Sequence, residues 1–424
     1  YERDSARLIG LLMRECGKTL QDSVLELREA VDFCRYYAAQ GARDCDENGI
    51  ELPGPTGEKN TLYLLGRGVF ACISPWNFPL AIFTGQVVAA LMSGNSVIAK
   101  PSEESSLTAF YAVSLMLKAG LPKDVIALLP GDGEIGHKLT EHPEISGVAF
   151  TGSTGTARAI NKTLASREGA IIPLIAETGG QNAMIADASA LPEQVVDDVI
   201  NSAFYSTGQR CSACRVLYVQ SDIADKVIDY LKGAMIQLSL GDPLEIETDI
   251  GPVISQGQKN MLEAHLQKLQ IYGREIYTVP VADTLKKQGY FFGPAAYEIQ
   301  SINHLEGEIF GPVLHIIRYK AGEVHKITEA VNATGYGLTF GVHSRIQSRA
   351  KNMVWQSNAG NCYINRSVVG SVVGTQPFGG NGLSGTGPKA GGPFYLHRFA
   401  IEKTITDNTA AAGGNASLLS LKED

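Results

Sequence analysis

The chain has 424 residues, and its 36 Lys and Arg against 44 Asp and Glu give a formal net charge of −8. Hydrophobic residues make up 44% and charged residues only 19%, so most of the chain must pack into cores, which excludes a disordered protein. Because basic residues are few and spread out, they offer no basic face to a nucleic-acid backbone. The sequence shows no apolar run long enough to span a membrane and no recognisable leader, so we expect neither a transmembrane segment nor export.

The seven cysteines are an odd number at irregular spacing, which argues against a disulfide framework. Such cysteine usage is typical of a reducing compartment, and we therefore expect a cytoplasmic protein. One of these thiols is therefore a candidate for a catalytic role.

The first part of the chain predicts helices followed by a parallel sheet. Residues 1–45 carry apolar residues at helical spacing, and because the chain opens inside helices we expect the natural protein to continue upstream. Residues 48–59 form a loop by composition. Short apolar runs at 69–74, 96–100, 125–129 and 147–151 then alternate with helix-like stretches at 81–92, 105–119 and 133–141. This alternation predicts βαβ units with ligands at the carboxyl ends of the strands.

The alternation resumes after Gly179. The predicted elements are strands at 182–186 and 216–220, helices at 191–207, 223–238 and 258–269, strands near Phe291 and Val313, and a further α/β stretch to 364. Residues 370–392 are too glycine-rich for regular structure, and a long irregular loop in a compact enzyme is usually functional. A strand at 395–406 and a polar tail complete the prediction.

Three motifs at predicted strand ends could hold a nucleotide. Residues 131–136 read G-x-G-x-x-G, which allows a dinucleotide fingerprint or a plain tight turn, but the acidic residue of the fingerprint is missing from the next strand. Residues 150–155 open a helix, whose first amides could bind an anion or simply receive an N-cap. Lys100 and Glu103 could hold ribose hydroxyls, with a solvated turn as the alternative.

Three residues are candidates for catalysis. Cys211 in G-Q-R-C-S-A-C could be a thiolate nucleophile if Arg210 supplies a cationic setting. With Cys214 it could instead form a redox pair or half of a zinc site, or be a buried apolar residue, although a second C-x-x-C and a His cluster are missing. Glu177 could be a general base or a surface residue. Asn77 could donate to an oxyanion or lie in a turn.

Taken in order, seven motifs resemble the aldehyde dehydrogenase superfamily. They are P-W-N-F-P at 75–79, K-P-S-E at 100–103, F-T-G-S at 150–153, E-T-G-G at 177–180, G-Q-R-C at 208–211, E-I-F-G-P at 308–312 and P-F-G-G at 377–380. The stretches 177–185, 208–213 and 376–393 make the chain similar to the L-glutamate γ-semialdehyde dehydrogenases, and among them to the dehydrogenase half of the bifunctional bacterial proline-utilisation enzymes. The resemblance implies an α/β fold with a Rossmann-type cofactor lobe, an α/β catalytic lobe and a bridging β-hairpin used for oligomerisation.

The resemblance also implies a role for each site residue. Cys211 would attack the aldehyde, Asn77 would stabilise the oxyanion, and Glu177 would activate the water that hydrolyses the thioester. The residues implied to hold NAD+, the hydride acceptor, are Ser74, Lys100, Glu103, Ser153, Glu308 and Phe310. The residues implied to hold the substrate are Ser212, Gly370 and Ser371 at its α-carboxylate and Phe78 and Phe378 along its aliphatic chain. A metal is not expected.

By the same resemblance, residues 1–45 and 66–178 form an NAD-binding domain that lacks its first segment. The catalytic domain would cover 179–393, the bridging element 46–65 and 394–410, and the polar tail 411–424. The flap at 46–65 should pair with the terminal strand of a partner subunit, in a homodimer or higher homo-oligomer. An upstream proline dehydrogenase domain, which would carry FAD, is expected in the full-length protein.

Two other functions stay open at this point. One is another aldehyde dehydrogenase subclass, with a different aldehyde or with CoA as the acyl acceptor, although Glu177 argues against a CoA-acylating enzyme. The other is a catalytically silent docking module.

Overall fold

The computed structural model describes residues 1–408, so the predicted tail at 411–424 and the last residues of the predicted 394–410 segment lie outside the described residues. The helices are α1 (Ser5–Cys16), α2 (Leu20–Asp44), α3 (Ala81–Met92), α4 (Ser106–Lys118), α5 (Gly133–Glu141), α6 (Thr154–Ser166), α7 (Pro192–Ala203), α8 (Ser221–Ile236), α9 (Gln256–Tyr272), α10 (Asp283–Lys286), α11 (Val324–Ala333) and α12 (Gln347–Gln356). Short 3₁₀ helices lie at Glu2–Asp4, Glu103–Ser105, Tyr205–Gly208, Ile302–His304 and Leu396–Phe399.

The strands form two large sheets and two small ones. They are β1 (Ile50–Leu52), β2 (Lys59–Gly66), β3 (Val69–Ile73), β4 (Ser96–Lys100), β5 (Ile126–Leu128), β6 (Ile145–Gly152), β7 (Leu174–Thr178), β8 (Ala183–Ala186), β9 (Val216–Gln220), β10 (Arg274–Thr278), β11 (Ala295–Glu298), β12 (Val313–Tyr319), β13 (Tyr336–Gly337), β14 (Thr339–His343), β15 (Asn361–Ile364), β16 (Asn381–Gly382) and β17 (Ala400–Asp407).

The first large sheet has five parallel strands in the order β5-β4-β3-β6-β7. Its strands are short apolar runs because helices cover both of its faces. On one face Phe70 packs in a core with Phe33 of α2 and Phe83 of α3. On the other face Phe150 packs with Ile160 of α6. This is the Rossmann-type βαβ arrangement that the sequence predicts.

The second large sheet has seven strands in the order β10-β11-β12-β9-β8-β14-β15. All neighbours are parallel except β10 and β11. Helices again cover both faces: Val199 of α7 and Leu231 of α8 belong to one core, and Leu262 of α9 and Met353 of α12 belong to the other. The chain is therefore a mixed α/β protein built on two sheets.

The flap sheet is antiparallel and consists of β1, β2 and β17. Strand β17 pairs with β2 of the same chain, from Ala400 opposite Gly66 to Asp407 opposite Lys59. The expectation that the flap pairs with a partner's terminal strand is therefore wrong, because the edge of β2 facing β17 is already used. Phe399 explains this placement, since its ring packs on Phe70 at 4.8 Å and holds the chain beside the flap just before β17 begins.

Four predicted elements differ clearly from the structure. The loop predicted at 48–59 contains β1, and the strand predicted at 395–406 begins only at Ala400, after the 3₁₀ helix Leu396–Phe399. The other two differ for local reasons. The helix predicted to reach residue 207 ends at Ala203, because Ser206 and Thr207 adopt φ of 54° and 55°, which a helix does not allow. The strand predicted near Phe291 is instead β11, which begins four residues beyond that position. Pro294 lacks an N–H and therefore precedes the strand rather than joining it.

The glycine loop, residues 370–392, is irregular apart from the two residues of β16. The fully buried Ser384 ties it to both large sheets. Its hydroxyl donates to the Gly179 carbonyl at 2.8 Å and accepts the Gly337 N–H at 3.0 Å. Its own carbonyl accepts the Thr178 N–H at 3.0 Å. The end of β7 and the segment before β14 are thus both held to Ser384.

Candidate active site

The predicted site residues from both sheets converge at one region. Lys100 ends β4, Ser153 follows β6 and Glu177 lies near the end of β7, all on the carboxyl edge of the five-stranded sheet. The loops that lead into β9 and β12 bring Cys211 and Glu308 to the same region. The ends of parallel strands are where ligands bind in such sheets.

Cys211 lies in a turn whose backbone is held on two sides. Gly208 has φ of 60°, and a Cβ there would lie 2.3 Å from the Gly311 carbonyl oxygen, so only glycine fits. The side-chain amide of Asn182 donates to the carbonyls of Cys211 at 2.6 Å and of Ala213 at 3.0 Å. The position of the thiol is therefore fixed by buried hydrogen bonds.

The thiol of Cys211 lies in a setting that disfavours its ionised form. Burial raises its pKa to about 12, and the carboxylates of Glu308 and Glu177 add to the rise. The prediction that Arg210 gives the thiol a cationic setting is wrong, because the Arg210 guanidinium instead pairs with Asp22 at 2.6 Å. The thiol is therefore protonated at neutral pH and needs a base before it can act as a nucleophile.

The second cysteine of the C-x-x-C pair has a packing role. Cys214 is free and fully buried, and its thiol contacts the Val216 carbonyl at 3.5 Å. Within residues 1–408, the His, Cys, Asp and Glu side chains form no group of three that could hold a metal ion. The structure therefore does not support the zinc alternative.

Asn77 lies against the loop that carries Cys211. It is 9% exposed, and its side-chain amide donates one hydrogen to the Gln209 carbonyl at 3.0 Å. An amide nitrogen carries two hydrogens, so the second is left for another acceptor. The neighbouring Trp76 meets Phe310 edge-on at 5.5 Å, which brings the loops after β3 and before β12 into contact.

Glu177 has the surroundings of a tuned general base. One carboxylate oxygen, Oε2, accepts the Gly380 N–H at 3.1 Å, whereas Oε1 is buried with no hydrogen-bond partner in the described part of the chain. Burial raises the pKa of Glu177 well above its ordinary value, and the Gly380 bond and the Lys389 ammonium oppose this rise. A carboxylate with a raised pKa accepts a proton more readily than an ordinary one, as a general base must.

Arg215 joins the loop of the thiol to the loop of Glu308. It is 1% exposed, and its guanidinium contacts Glu308 Oε1 at 3.2 Å and the carbonyls of Gly208 and Gly311 at 2.6 and 3.0 Å. Burial raises the pKa of Glu308 and Arg215 opposes that rise. The Glu308 carboxylate occupies the space where a Cβ of Gly179 would lie.

The residues predicted to hold the adenosine end of a dinucleotide lie at one sheet edge. Lys100 is buried, and its ammonium donates to the Pro101 carbonyl at 3.1 Å. Burial lowers its pKa, and Glu103, which begins a 3₁₀ helix, opposes the change. Ser153 caps α6, and the buried Ser74 hydroxyl has no hydrogen-bond partner within residues 1–408. A buried hydroxyl without a partner fits an absent polar ligand.

The G-x-G-x-x-G motif serves as a capped turn beside this edge. Asp132 accepts the N–H groups of Glu134 and Ile135 at 3.0 and 3.3 Å, so it is the N-cap of α5. A Cβ at Gly136 would lie 3.4 Å from the Lys100 side chain. The tight-turn alternative accounts for the motif.

The residues predicted to bind a carboxylate lie near the thiol. Ser212 follows Cys211 and is buried, and the Ser371 hydroxyl is bonded to the Tyr363 hydroxyl at 2.6 Å. Burial raises the pKa of Tyr363, and Cys211 adds to that rise, so Tyr363 interacts with both Ser371 and the thiol. Gly370 has φ of 76° and open space around it.

The two predicted phenylalanines lie on opposite parts of the chain. Phe78 follows Asn77 and lies under the Lys18 ammonium at 4.2 Å. Phe378 exchanges both of its backbone hydrogen bonds with Ala390 across the glycine loop, each at 2.9 Å.

Sequence reasoning missed a charged cluster at the start of α2. Lys18 pairs with the buried Glu26 at 2.5 Å, and Glu26 also accepts the Leu80 N–H at 2.8 Å. Burial raises the pKa of Glu29 to about 7, and this carboxylate adds to the rise in the Cys211 pKa. Their spacing is that of any amphipathic helix, so the sequence carries no signal for a site there.

Asn182, Arg215 and Lys389 were also missed as site residues. The first two lie next to recognised motifs, Asn182 two residues after E-T-G-G and Arg215 four after Cys211. Their partners are carbonyls and a carboxylate from remote segments, which no local pattern reveals.

None of the helices formed by residues 1–408 has the length and apolarity that crossing a membrane requires.

Comparison with known proteins agrees with the motifs. Residues 1–405 match the aldehyde dehydrogenase family. The chain is 47% identical to the bifunctional protein PutA of Salmonella typhimurium over 432 aligned positions, which cover 98% of this chain and 32% of that protein. It is 55% identical to a crystal structure of a PutA point mutant from Bradyrhizobium japonicum, with a TM-score of 0.94 over 97% of this chain and 42% of that one.

A third relative is shorter. The crystal structure of 1-pyrroline-5-carboxylate dehydrogenase from Thermus with bound NAD is 33% identical, with a TM-score of 0.91, and the match covers 96% of this chain and 78% of that one. The chain thus spans about a third of the length of the curated PutA relative it matches. The family match covers nearly all of the chain, and the chain belongs to the aldehyde dehydrogenase family.

Proposed function

We propose that this chain catalyses the NAD+-dependent oxidation of L-glutamate γ-semialdehyde to L-glutamate, the second step of proline catabolism. The observation that carries the proposal is the partly buried Cys211 thiol, which interacts with the Glu177 and Glu308 carboxylates and with Tyr363, whose hydroxyl is bonded to that of Ser371. The names of the relatives support this substrate, since 1-pyrroline-5-carboxylate opens with water to the semialdehyde.

The first step forms a covalent bond. The Cys211 thiol passes its proton to solvent water, the sulfur bonds to the aldehyde carbon, and the C=O electron pair moves to the oxygen. The second amide hydrogen of Asn77 and the backbone N–H of Cys211 stabilise this oxyanion.

The residues present fit a dinucleotide. Glu308 and Phe310 would hold the nicotinamide end, Lys100 and Glu103 the adenosine ribose, and Ser153 the pyrophosphate at the start of α6, with the Ser74 hydroxyl gaining a partner. NAD+, when bound, supplies the acceptor for the hydride that leaves the carbon bonded to sulfur. We infer NAD+ rather than NADP+, because the Glu103 carboxylate would repel a phosphate on the ribose.

Loss of the hydride leaves a thioester on Cys211, which water must hydrolyse. Glu177 takes a proton from that water, the water oxygen bonds to the acyl carbon, and the sulfur leaves as thiolate. The raised pKa of Glu177 suits this role.

The substrate class follows from the far end of the site. Ser212, Gly370 and Ser371 would hold the α-carboxylate, and Phe78 and Phe378 would flank the three-carbon chain. The open space around Gly370 and its positive φ support a close approach of the carboxylate to the backbone.

NADH formation from the semialdehyde tests the proposal. Wild type should form NADH, Cys211→Ala should form none, and Asn77→Ala should lower kcat by about 10²–10³-fold. Glu177→Gln should give one NADH per site in a burst and then almost none. Full activity of Cys211→Ala, or a preference for short aliphatic aldehydes over the semialdehyde, would overturn the assignment. Product formation that requires CoA would identify an acylating enzyme instead.

We further infer a domain division and partners. The five-stranded sheet would belong to an NAD-binding domain at 1–45 and 66–178, and the seven-stranded sheet to a catalytic domain at 179–393. The flap strands at 46–65 and 394–410 would join two copies in a homodimer, because Ile401 and Ile405 of β17 are exposed apolar residues. We also infer an upstream FAD-dependent proline dehydrogenase domain in the full-length protein, because the PutA relative is named bifunctional and this chain covers only 32% of it. The mass of the purified protein by light scattering tests the dimer.

A further inference from the structure

The carboxylate of Glu177 is enclosed by the glycine loop. A Cβ at Gly379 would lie 2.7 Å from Oε1, and one at Gly385 would lie 2.9 Å from Oε2. The Gly380 N–H is the hydrogen bond that the carboxylate receives, and Oε1 is buried with no partner among residues 1–408. A buried carboxylate with one hydrogen bond needs a nearby positive charge to stay ionised.

Lys389 projects toward the same space. Phe378 and Ala390 form an antiparallel bridge with both hydrogen bonds at 2.9 Å, which places Lys389 directly opposite Gly379. Directly opposite residues of an antiparallel pair have their side chains on the same face. The Lys389 side chain therefore leaves the loop on the face where a Gly379 Cβ would meet Glu177.

The ammonium of Lys389 has donors to spare. Lys389 is half-buried, and its Nζ donates to the Gly360 carbonyl, which accepts one of its three hydrogens. Burial lowers its pKa, while Cys362 and Glu177 oppose that change. Because the Gly360 carbonyl is neutral, it does not cancel the positive charge of the ammonium, which can still attract a nearby carboxylate.

The titratable groups around Glu177 come from three parts of the chain. Lys389 lies in the glycine loop, Cys211 in the loop before β9, and Tyr395 just before the last 3₁₀ helix. The thiol of Cys211 and the hydroxyl of Tyr395 have raised pKa values and are neutral at physiological pH. Lys389 is thus the charged group of the three.

We propose that Lys389 is a positioning residue for hydrolysis, whose ammonium keeps the Glu177 carboxylate ionised and oriented when it activates water. This rests on the proposed role of Glu177. In this role Lys389 acts through the general base rather than on the reacting atoms. Loss of its charge should leave the formation of the thioester intact and should slow the step in which Glu177 accepts a proton.

The sign of the effect follows from the charge. A positive neighbour lowers the pKa of a carboxylic acid, so removing it moves the pKa of Glu177 upward and leaves less carboxylate at neutral pH. A rise of about one unit would lower hydrolysis about tenfold below the midpoint of the profile. Above the midpoint, the rate should approach that of wild type.

The test compares Lys389→Met with Lys389→Arg, which keeps the charge, and with Lys268→Met, which removes an exposed lysine paired with Glu306. NADH formation is followed by stopped flow from pH 6 to 10, so that the burst reports thioester formation and the later linear phase reports hydrolysis. We expect Lys389→Met to keep the burst and to move the midpoint of the linear phase upward by about one pH unit. We expect Lys389→Arg and Lys268→Met to keep the midpoint of wild type.

An unchanged midpoint in Lys389→Met would overturn the proposal, even with a uniformly lower rate, because a merely structural role predicts that result. An upward shift in Lys389→Arg equal to that in Lys389→Met would overturn it as well. If Lys389→Met does not fold by circular dichroism, Lys389→Gln, which keeps a donor for the Gly360 carbonyl, carries the same test. The midpoint can be measured with any aldehyde that wild type oxidises, so failure of the semialdehyde assignment is a separate outcome.

Discussion

Replacement of Arg215 by methionine tests whether one buried cation organises the site. Its guanidinium is bonded to the carbonyls of Gly208, Gly311 and Arg210, at 2.6, 3.0 and 2.9 Å, and to the Glu308 carboxylate at 3.2 Å. Arg215→Met leaves this carboxylate buried beside a neutral side chain. Breaking such a pair by removing one partner costs about 3–5 kcal/mol, a large part of the stability of an ordinary protein.

The second variant separates the charge from the packing. In Arg215→Met/Glu308→Gln the unpaired charge is gone, so part of the loss should return. We expect the double variant to be at least about 1 kcal/mol more stable than the sum of the two single changes predicts. Arg35→Met is the control, because Arg35 and its partner Glu2 are both 65% exposed and an exposed pair contributes less than about 1 kcal/mol.

The assay is urea unfolding followed by tryptophan fluorescence, combined with the KM for NAD+. Trp76 contacts Phe310 and reports this region directly. The reasoning is refuted if the two single changes add within about 0.5 kcal/mol, since that would mean that Arg215 and Glu308 do not interact. If Arg215→Met does not fold, Arg215→Lys keeps the charge without the guanidinium fork, and it should raise the KM for NAD+ more than it lowers stability.

Three further predictions follow from single features. His265 and His315 are buried with pKa values lowered to about 4 and about 3, so the unfolded chain binds protons first and stability is lost as the pH falls from about 6.5 to 4. Urea midpoints measured between pH 7.5 and 5 should show this loss. Below about pH 6.5, the free energy of unfolding of His265→Leu should fall by about 1.4 kcal/mol less per pH unit than that of wild type. Glu308→Gln removes a charge that raises the pKa of Cys211, so the thiol should be alkylated faster by iodoacetamide at pH 8, and an unchanged rate would contradict that pKa argument. Gly208→Ala should destabilise the protein by more than about 1 kcal/mol, because its Cβ would meet a backbone oxygen at 2.3 Å; an unchanged urea midpoint would show that the loop can move aside.

The sequence predicted the regular elements wherever local pattern and packing agree. Helices at 81–92 and 133–141 and strands at 96–100 and 216–220 have the predicted bounds, because apolar runs of strand length are bounded there by turn residues or N-caps. The failures lie where distant contacts override the pattern. The two left-handed residues after α7 are a serine and a threonine, residue types that do not by themselves indicate a positive φ.

The site was predicted in part for the same reason. Motif order pointed to the thiol, the two carboxylates and the amide that the structure brings together. The sequence did not reveal which basic residue interacts with which carboxylate. Arg210 is adjacent to Cys211 in sequence, yet it pairs with Asp22. Lys389 is 212 positions from Glu177, yet its charge lowers the Glu177 pKa. Which charged residues pair depends on where their side chains point in the folded chain. The residues next to each of them in sequence do not indicate that direction.

The bonds of Ser384 have a consequence for motion. One hydroxyl and one carbonyl hold the end of β7, the glycine loop and the segment before β14 together in a fully buried setting. A hinge between the two sheets would have to break all three bonds without water to replace them, which is costly. Motion between the two sheets should therefore be restrained at Ser384, and slow opening, if the enzyme uses it, should hinge elsewhere in the chain.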